Sequence, residues 1–471
     1  MRAMLLRRPR VGVPGGATSV RPRRCCLHNS AWGRYTSALE KGLPPPLLGT
    51  LADCPFAHDT IVNRVPNAIL ARTVELNADV LDTESRRRLD ALIETLNDGD
   101  RVPLTLPHDS APDIDRWWAK HLEPMLSAEL TWAQAPWFTS ETLAYRHVLA
   151  ATGFFDSARE LCGYDVFAHE KLEGLRTSLP MLREMAERHE HEEAEAEAQR
   201  SSFGVLSSLI HMSLWGNQAD ASLWSAGAHP DLAGAGAAGG GDAAAGSSDS
   251  RLLVDDTAAA CAALLGSEGG GRVVLCCDNS GMELVCDMLL ARWLLARGVA
   301  SHIELVVKPC PFYVSDATEA DISQTVSALA GDECAALARL GHEVRQGLVS
   351  GRISVRSDHF WSAPLAVWEM PAQRREALRG AALVIVKGDL QYRKLLGNRH
   401  WPSDSSFAGI VHGDQVRPAF PAPLLSCRTL KAPIVVGLED DVVRRLDEES
   451  RDWRIDGTRG TIHFVGLREG E

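Results

Sequence analysis

Between residues 56 and 215 apolar positions recur at intervals of three and four. Asn67-Ala-Ile-Leu-Ala-Arg-Thr-Val-Glu-Leu and the stretch from Arg86 to Leu96 show this spacing clearly, and it predicts helices. Trp117, Trp118, Trp132, Trp137, Phe138, Tyr145, Phe154 and Phe155 add aromatic mass that reads as the core of this helical half. Residues 183–200 (REMAERHEHEEAEAEAQR) are nearly all charged, which predicts a solvated helix face; a metal-binding His/Glu run is the alternative. At 226–250 the pattern collapses into Gly, Ala and Ser, read as a flexible linker or surface insertion.

From 251 onward short β-branched runs alternate with helical stretches. Strands are expected at Arg272-Val-Val-Leu-Cys-Cys, Ile303-Glu-Leu-Val-Val, Ile353-Ser-Val-Arg, Leu383-Val-Ile-Val, Pro433-Ile-Val-Val and Ile462-His-Phe-Val. Helices are expected at Met282–Arg297, Ala320–Gly347 and Pro364–Leu378. Continuous apolar strands separated by helices predict an α/β/α sandwich, Rossmann-like, with a mostly parallel sheet. The fold class is therefore α/β: a mainly helical domain over 50–225, the linker 226–250 and an α/β domain over 251–471. A length of 471 residues suits two domains at ~150 residues or more each.

Composition narrows the function. The net charge of −13 argues against a nucleic-acid partner held by bulk positive charge. No run of eighteen apolar residues occurs, so no membrane span is expected. Residues 1–34 carry eight Arg and no acid. That leader reads either as an organelle transit peptide, mitochondrial or plastid, or as an Arg-rich start without a targeting role. Eleven Cys without a C-x-x-C spacing suit neither a zinc site nor a disulfide framework. They fit a reducing, intracellular compartment, the cytoplasm unless the leader directs import.

In a parallel sheet, ligands sit beyond the carboxyl ends of the strands. Here those ends carry Asp278-Asn279-Ser280-Gly281, then Lys308 through Asp316, then Lys387-Gly388-Asp389. An Asp-Asn after a strand is commonly a turn or helix cap. Taken together, Asp278, Asn279 and Asp316 offer hard oxygen ligands suited to Mg²⁺, Mn²⁺ or a similar ion. Gly281 would admit a close ligand, and the following helix would aim its N–H groups at an anion. Lys308, Lys387 and Lys431 flank strand ends, the arrangement by which phosphoryl charge is held.

Four ordered strings resemble the metal-dependent damage-control phosphatases, in the branch shared by acidic residue methyltransferase and sugar phosphate phosphatases. They are Asp278-Asn-Ser-Gly-Met-Glu-Leu-Val-Cys-Asp287, Val307-Lys-Pro-Cys-Pro-Phe-Tyr-Val-Ser-Asp-Ala-Thr318, Lys387-Gly-Asp-Leu-Gln-Tyr-Arg-Lys-Leu395 with Trp401-Pro402, and Arg428-Thr-Leu-Lys431. The last is similar to the R-T-x-K signature of that branch. Weaker echoes lie at Phe56–Pro66, Pro136-Trp-Phe with Glu141 and Tyr145-Arg146, and Leu214–Asp220.

The resemblance implies a helical domain with an α/β/α sandwich. It implies Asp278, Asn279 and Asp316 as catalytic metal ligands. The substrate-binding set would be Asp278, Asn279, Lys387, Gly388, Asp389, Leu390, Gln391 and Lys431, with Lys431 on the phosphate. Gln391 stands where the family has Asn, and Ser280 replaces a usual Ala. The implied reaction is hydrolysis of small phosphorylated metabolites, sugar phosphates such as fructose 1-phosphate or fructose 6-phosphate, with Mn²⁺, Ni²⁺ or Co²⁺. S-adenosylmethionine-dependent protein-glutamate methylation, with Glu283 and Asp316 as cofactor contacts, is the alternative from the same branch. A non-catalytic binding module is the third reading.

Overall fold

The computed structural model describes residues 47, 54–107, 112–199, 202–216, 251–266, 270–413 and 418–467. The leader 1–34 and the linker 226–250 lie outside the described residues. Pro55–Asp59, Thr60–Leu70 and Ala71–Leu76 run on as one helix, α1, wound more loosely in its middle around Pro66, which has no N–H to give. Thr83–Asn97 (α2), Pro112–Ser127 (α3), Trp137–Thr152 (α4), Ala168–Gln199 (α5) and Phe203–Trp215 (α6) follow. Then come β1 (Leu252–Asp255), α7 (Thr257–Leu265), β2 (Gly271–Cys276), α8 (Met282–Ala296) and β3 (Ala300–Val307). The chain continues through α9 (Glu319–Ala330), α10 (Ala335–Val349), β4 (Ile353–Ser357), α11 (Ala372–Leu378), β5 (Leu383–Lys387) and α12 (Gly388–Leu395). It closes with α13 (Phe407–Val411), β6 (Leu424–Thr429), α14 (Asp440–Glu449) and β7 (Gly460–Val465).

The sheet order is β1-β7-β6-β5-β2-β3-β4, parallel throughout except for the antiparallel β6–β7 pair. Alternate residues of each strand face opposite sides. Val274, Cys276, Val306, Val384 and Val386 pack with α1–α4, whereas Val273, Leu275, Ile303, Leu305 and Ile385 pack with α5, α6 and α8–α10. Both apolar cores thus contain residues from before 225 and after 251. Among the described residues no helix is long and apolar enough to cross a membrane.

Four expectations need correcting. The strand expected at Pro433-Ile-Val-Val is loop, and the strand is Leu424–Thr429 instead. Ser426 and Arg428 interrupt the apolar pattern of β6, while Pro433 cannot donate to a ladder. The helix expected over Ala320–Gly347 is two, broken at Gly331, and in Pro364–Leu378 the α-helix is confined to Ala372–Leu378, after a short 3-10 turn at Val367–Glu369. The charged block 183–200 is only partly solvated. Its Met185, Ala186 and His189 are buried, and Glu190 and Glu193 pair with Arg339 (2.6 Å) and Arg292 (2.8 Å) of α10 and α8. Charge alone concealed a docking face.

A buried ionic clamp joins β5 to α6 and α8. Lys387 Nζ donates to Glu283 Oε1 (2.9 Å), Asp287 Oδ1 (2.9 Å) and the Ser213 carbonyl (2.7 Å). All three ammonium protons are thereby used. Burial disfavours the charge on Lys387, but Asp287 and Glu283 more than offset it and hold the ammonium above the ordinary lysine range. Replacing Lys387 by Met strands two buried carboxylates and should cost about 3–5 kcal/mol in urea unfolding. Adding Glu283→Gln and Asp287→Asn should restore much of that loss. A loss under about 1 kcal/mol for Lys387→Met would contradict the clamp.

Candidate active site

The chain runs from β2 through β3 to β4 on one side and returns to β5 on the other side of β2. This reversal opens a crevice at the carboxyl end of β2, the switch point where α/β sheets place ligands. Asp278 and Asn279 follow β2, the loop from Lys308 to Asp316 follows β3, and Gly388 follows β5. The three strand ends therefore meet at one place.

The β2 and β3 loops are zipped together by backbone bonds. Ala317 N donates to Asp278 O (2.8 Å) and Ser280 N to Ser315 O (2.7 Å), while a bond from Lys308 N to Ala317 O (2.9 Å) closes the β3 loop on itself. Asn279 and Asp316 face each other in an antiparallel bridge. Just before it, Tyr313 and the β-branched Val314 take φ of 45° and 68°, a left-handed path disfavoured for both. The Tyr313 hydroxyl shares a hydrogen bond with Thr142 Oγ1 of α4 at 2.6 Å, fixing that bend from the helical side.

Asp278 Oδ1 and Asp316 Oδ2 are buried without a hydrogen-bond partner. Lys308, fully buried, stands between them with Nζ at 3.7 Å and 3.6 Å, beyond hydrogen-bond reach, and donates to the Cys277 carbonyl at 3.2 Å. Burial pushes Asp278 up to about 7 and Asp316 up to about 6, with Lys308 pulling each back down. Burial acts against the Lys308 ammonium too, yet Asp316 and Asp278 raise its pKa above the ordinary value. Asn279 Nδ2 donates to Asp278 Oδ2 and Glu283 Oε2, both at 2.8 Å, and its Oδ1 accepts from Ser315 Oγ at 2.5 Å.

This donor set fits a divalent cation. Two orphaned carboxylate oxygens lack the hydrogen-bonded or coordinated partner that burial demands, and the donors beside Lys308 are hard oxygens. Among the described residues no group of three or more His, Cys, Asp or Glu is placed to hold a metal. The third donor here is the Asn279 amide oxygen. Gly388 makes the approach feasible: at φ 86° its added Cβ would sit 1.9 Å from Asp278 Oδ2.

Anion-binding groups surround the carboxylates. Gly281, at φ 73°, opens α8, and no side chain caps that helix or α12. Two sets of first-turn N–H groups are thus left uncapped at the crevice. Lys431 is exposed, pairs with no carboxylate among the described residues, and is near enough that its charge lowers the proton affinity of Asp278. Its backbone N–H donates to Asp389 Oδ1 at 3.1 Å. Asp389 also takes Arg428 Nε (2.8 Å), and Arg428 holds the Ala432 carbonyl (2.9 Å) while stacking on Tyr392. Arg428 of the R-T-x-K string is thus the post that positions Lys431.

The substrate-binding string is split by the structure. Lys387 is consumed by the clamp, Asp389 by Arg428, and Leu390 is buried. Gln391 is fully buried and donates to the Trp361 carbonyl at 3.2 Å. Only Gly388 of this string abuts Asp278. Glu283, the implied cofactor contact, spends one oxygen on Asn279 and the other on Lys387. Sequence reasoning left out of the site Ser315, which orients Asn279, and Arg428. Lys308 was marked only by its place after β3.

Comparison with known proteins identifies the family. The Damage-control phosphatase ARMT1-like domain matches residues 58–446. Damage-control phosphatase ARMT1 of Danio rerio is 28% identical over 450 residues, 90% of this chain and 97% of that protein. The Mus musculus protein of the same name is 33% identical over 192 residues, 40% of this chain and 43% of its own. A solved DUF89 family protein from Pyrococcus horikoshii aligns over 80% of this chain and 97% of its own, at 15% identity and a TM-score of 0.36. A domain match spanning most of the chain, with Asp278, Asn279 and Asp316 gathered inside it, places this protein in the damage-control phosphatase ARMT1-like family.

Proposed function

We propose that the chain hydrolyses phosphate monoesters of small metabolites, sugar phosphates such as fructose 1-phosphate or fructose 6-phosphate foremost. The observation that carries this reading is the pair of orphaned oxygens, Asp278 Oδ1 and Asp316 Oδ2, beneath two uncapped helix N-termini and an exposed lysine. Asp278, Asp316 and the Asn279 amide would hold Mn²⁺, Ni²⁺, Co²⁺ or Mg²⁺. Such an ion supplies Lewis acidity toward a phosphoryl oxygen. Lys308 offsets part of the carboxylate charge, and the ion would offset the rest, so that the site can accept a phosphoryl dianion. The α8 and α12 N–H groups and Lys431 orient the phosphoryl group and stabilise charge gathering on its oxygens. Membership of the damage-control phosphatase ARMT1-like family supports phosphatase chemistry. Methyl transfer from S-adenosylmethionine would need a free Glu283, and both of its oxygens are engaged.

Asp278→Ala and Asp316→Ala should each abolish Mn²⁺-dependent phosphate release and the rise in melting temperature that Mn²⁺ gives the wild type. Near wild-type turnover in either variant at modest metal concentration contradicts the assignment. Lys431→Met should lower kcat/KM by about 2–4 kcal/mol in transition-state terms. The loss should be the same for sugar phosphates and for a generic aryl phosphate, because all share the group it meets. Its melting temperature should not move, since the side chain is exposed. A loss confined to one sugar would assign Lys431 to the leaving group instead.

A further inference from the structure

A second recess lies one strand over from the crevice, at the carboxyl ends of β3 and β4. It is a cavity of about 470 Å³ between α3, α4, the β3 loop and the turns that follow β4. Its volume lies within the ~300–1,000 Å³ range of small-molecule sites. None of Asp278, Asn279, Asp316 or Lys431 lines it.

The chemistry of its wall is specific. Trp118, Phe312 and Phe360 are buried and form an aromatic floor, with Trp117 half-buried at the side. Such faces favour a planar ring by stacking. The Ser362 hydroxyl also lines the cavity, nine-tenths buried and with no hydrogen-bond partner among the described residues. A built hydroxyl left unsatisfied beside an aromatic floor points to a ligand polar atom.

Two arginines supply its positive charge: Arg146, buried over the Phe155 ring, and Arg374, half-buried at the mouth, both line the cavity. Lys394, behind the wall, adds none: burial pushes its ammonium well below the ordinary lysine range. The carboxylate on the wall, Asp358, is already engaged by Arg356 (2.5 Å) and Arg374 (3.3 Å). We infer that this cavity binds a planar aromatic or heteroaromatic anion, ring against the tryptophans and negative group toward Arg374 and Arg146, at a site separate from the metal crevice. Its wall residues Cys310 and Phe312 belong to the same loop as Asp316.

Calorimetric titration of the full chain with 2-naphthoate tests this. One saturable site is expected, with a dissociation constant on the order of 1 mM or tighter. Cyclohexanecarboxylate, which lacks the ring, and 2-naphthamide, which lacks the charge, should each bind roughly tenfold more weakly. Trp117→Ala and Arg374→Gln should weaken 2-naphthoate binding by a similar factor. Arg374 is half-exposed, so its variant keeps the test valid if Trp117→Ala fails to fold. Excess inorganic phosphate and Lys431→Met should leave binding unchanged, so loss of the phosphatase reading would not touch this result. Absence of saturation, equal affinity in Arg374→Gln, or competition by phosphate would overturn the proposal.

Discussion

Two carboxylates buried at neighbouring strand ends, with one lysine between them, set the terms for the rest of this structure. Asp278 and Asp316 are both nearly inaccessible, and Lys308 alone cannot satisfy them, because it meets neither oxygen at hydrogen-bonding distance. Leaving two such oxygens unpartnered in a low-dielectric site is costly. That cost is what the proposed divalent ion would relieve. The zipped β2 and β3 loops, the left-handed Tyr313–Val314 bend and the Cβ-free Gly388 all hold the pair in place.

The surrounding charges divide into those that build and those that act. Lys387 and Arg428 sit at strand ends, as a substrate-binding cation would, yet both are spent inside the protein. Lys387 locks β5 to α8, which carries the first uncapped N-terminus. Arg428 locks Asp389 to the loop that carries Lys431. Lys431 keeps its charge free in solvent because Arg428 has already satisfied Asp389. The order is architectural: buried ion pairs fix the frame, and the lysine proposed to meet the substrate stays exposed.

Much of this could be read in the sequence, for reasons that differ by element. The strands buried on both faces, such as Leu383–Lys387, announce themselves as continuous apolar runs. Strand β6 does not, because Ser426 and Arg428 break its apolar run, Arg428 to hold Asp389. That Asp278, Asn279 and Asp316 would lie together was legible because each follows a strand at the carboxyl end of a parallel sheet. The side-chain direction of Lys387 was not, since it depends on Glu283 and Asp287 one helix away. Likewise the buried face of 183–200 depends on Arg292 and Arg339 of helices distant in the chain.

The central claim is that Asp278 and Asp316 share a divalent ion. Anomalous diffraction from crystals grown with Mn²⁺, recorded on both sides of the manganese absorption edge, tests it most directly. The account predicts one strong anomalous peak bonded to Asp278 Oδ1 and Asp316 Oδ2, with the Asn279 amide oxygen turned toward it. An empty crevice at saturating Mn²⁺, or a peak elsewhere with Lys308 moved into hydrogen-bonding contact with both carboxylates, would contradict it.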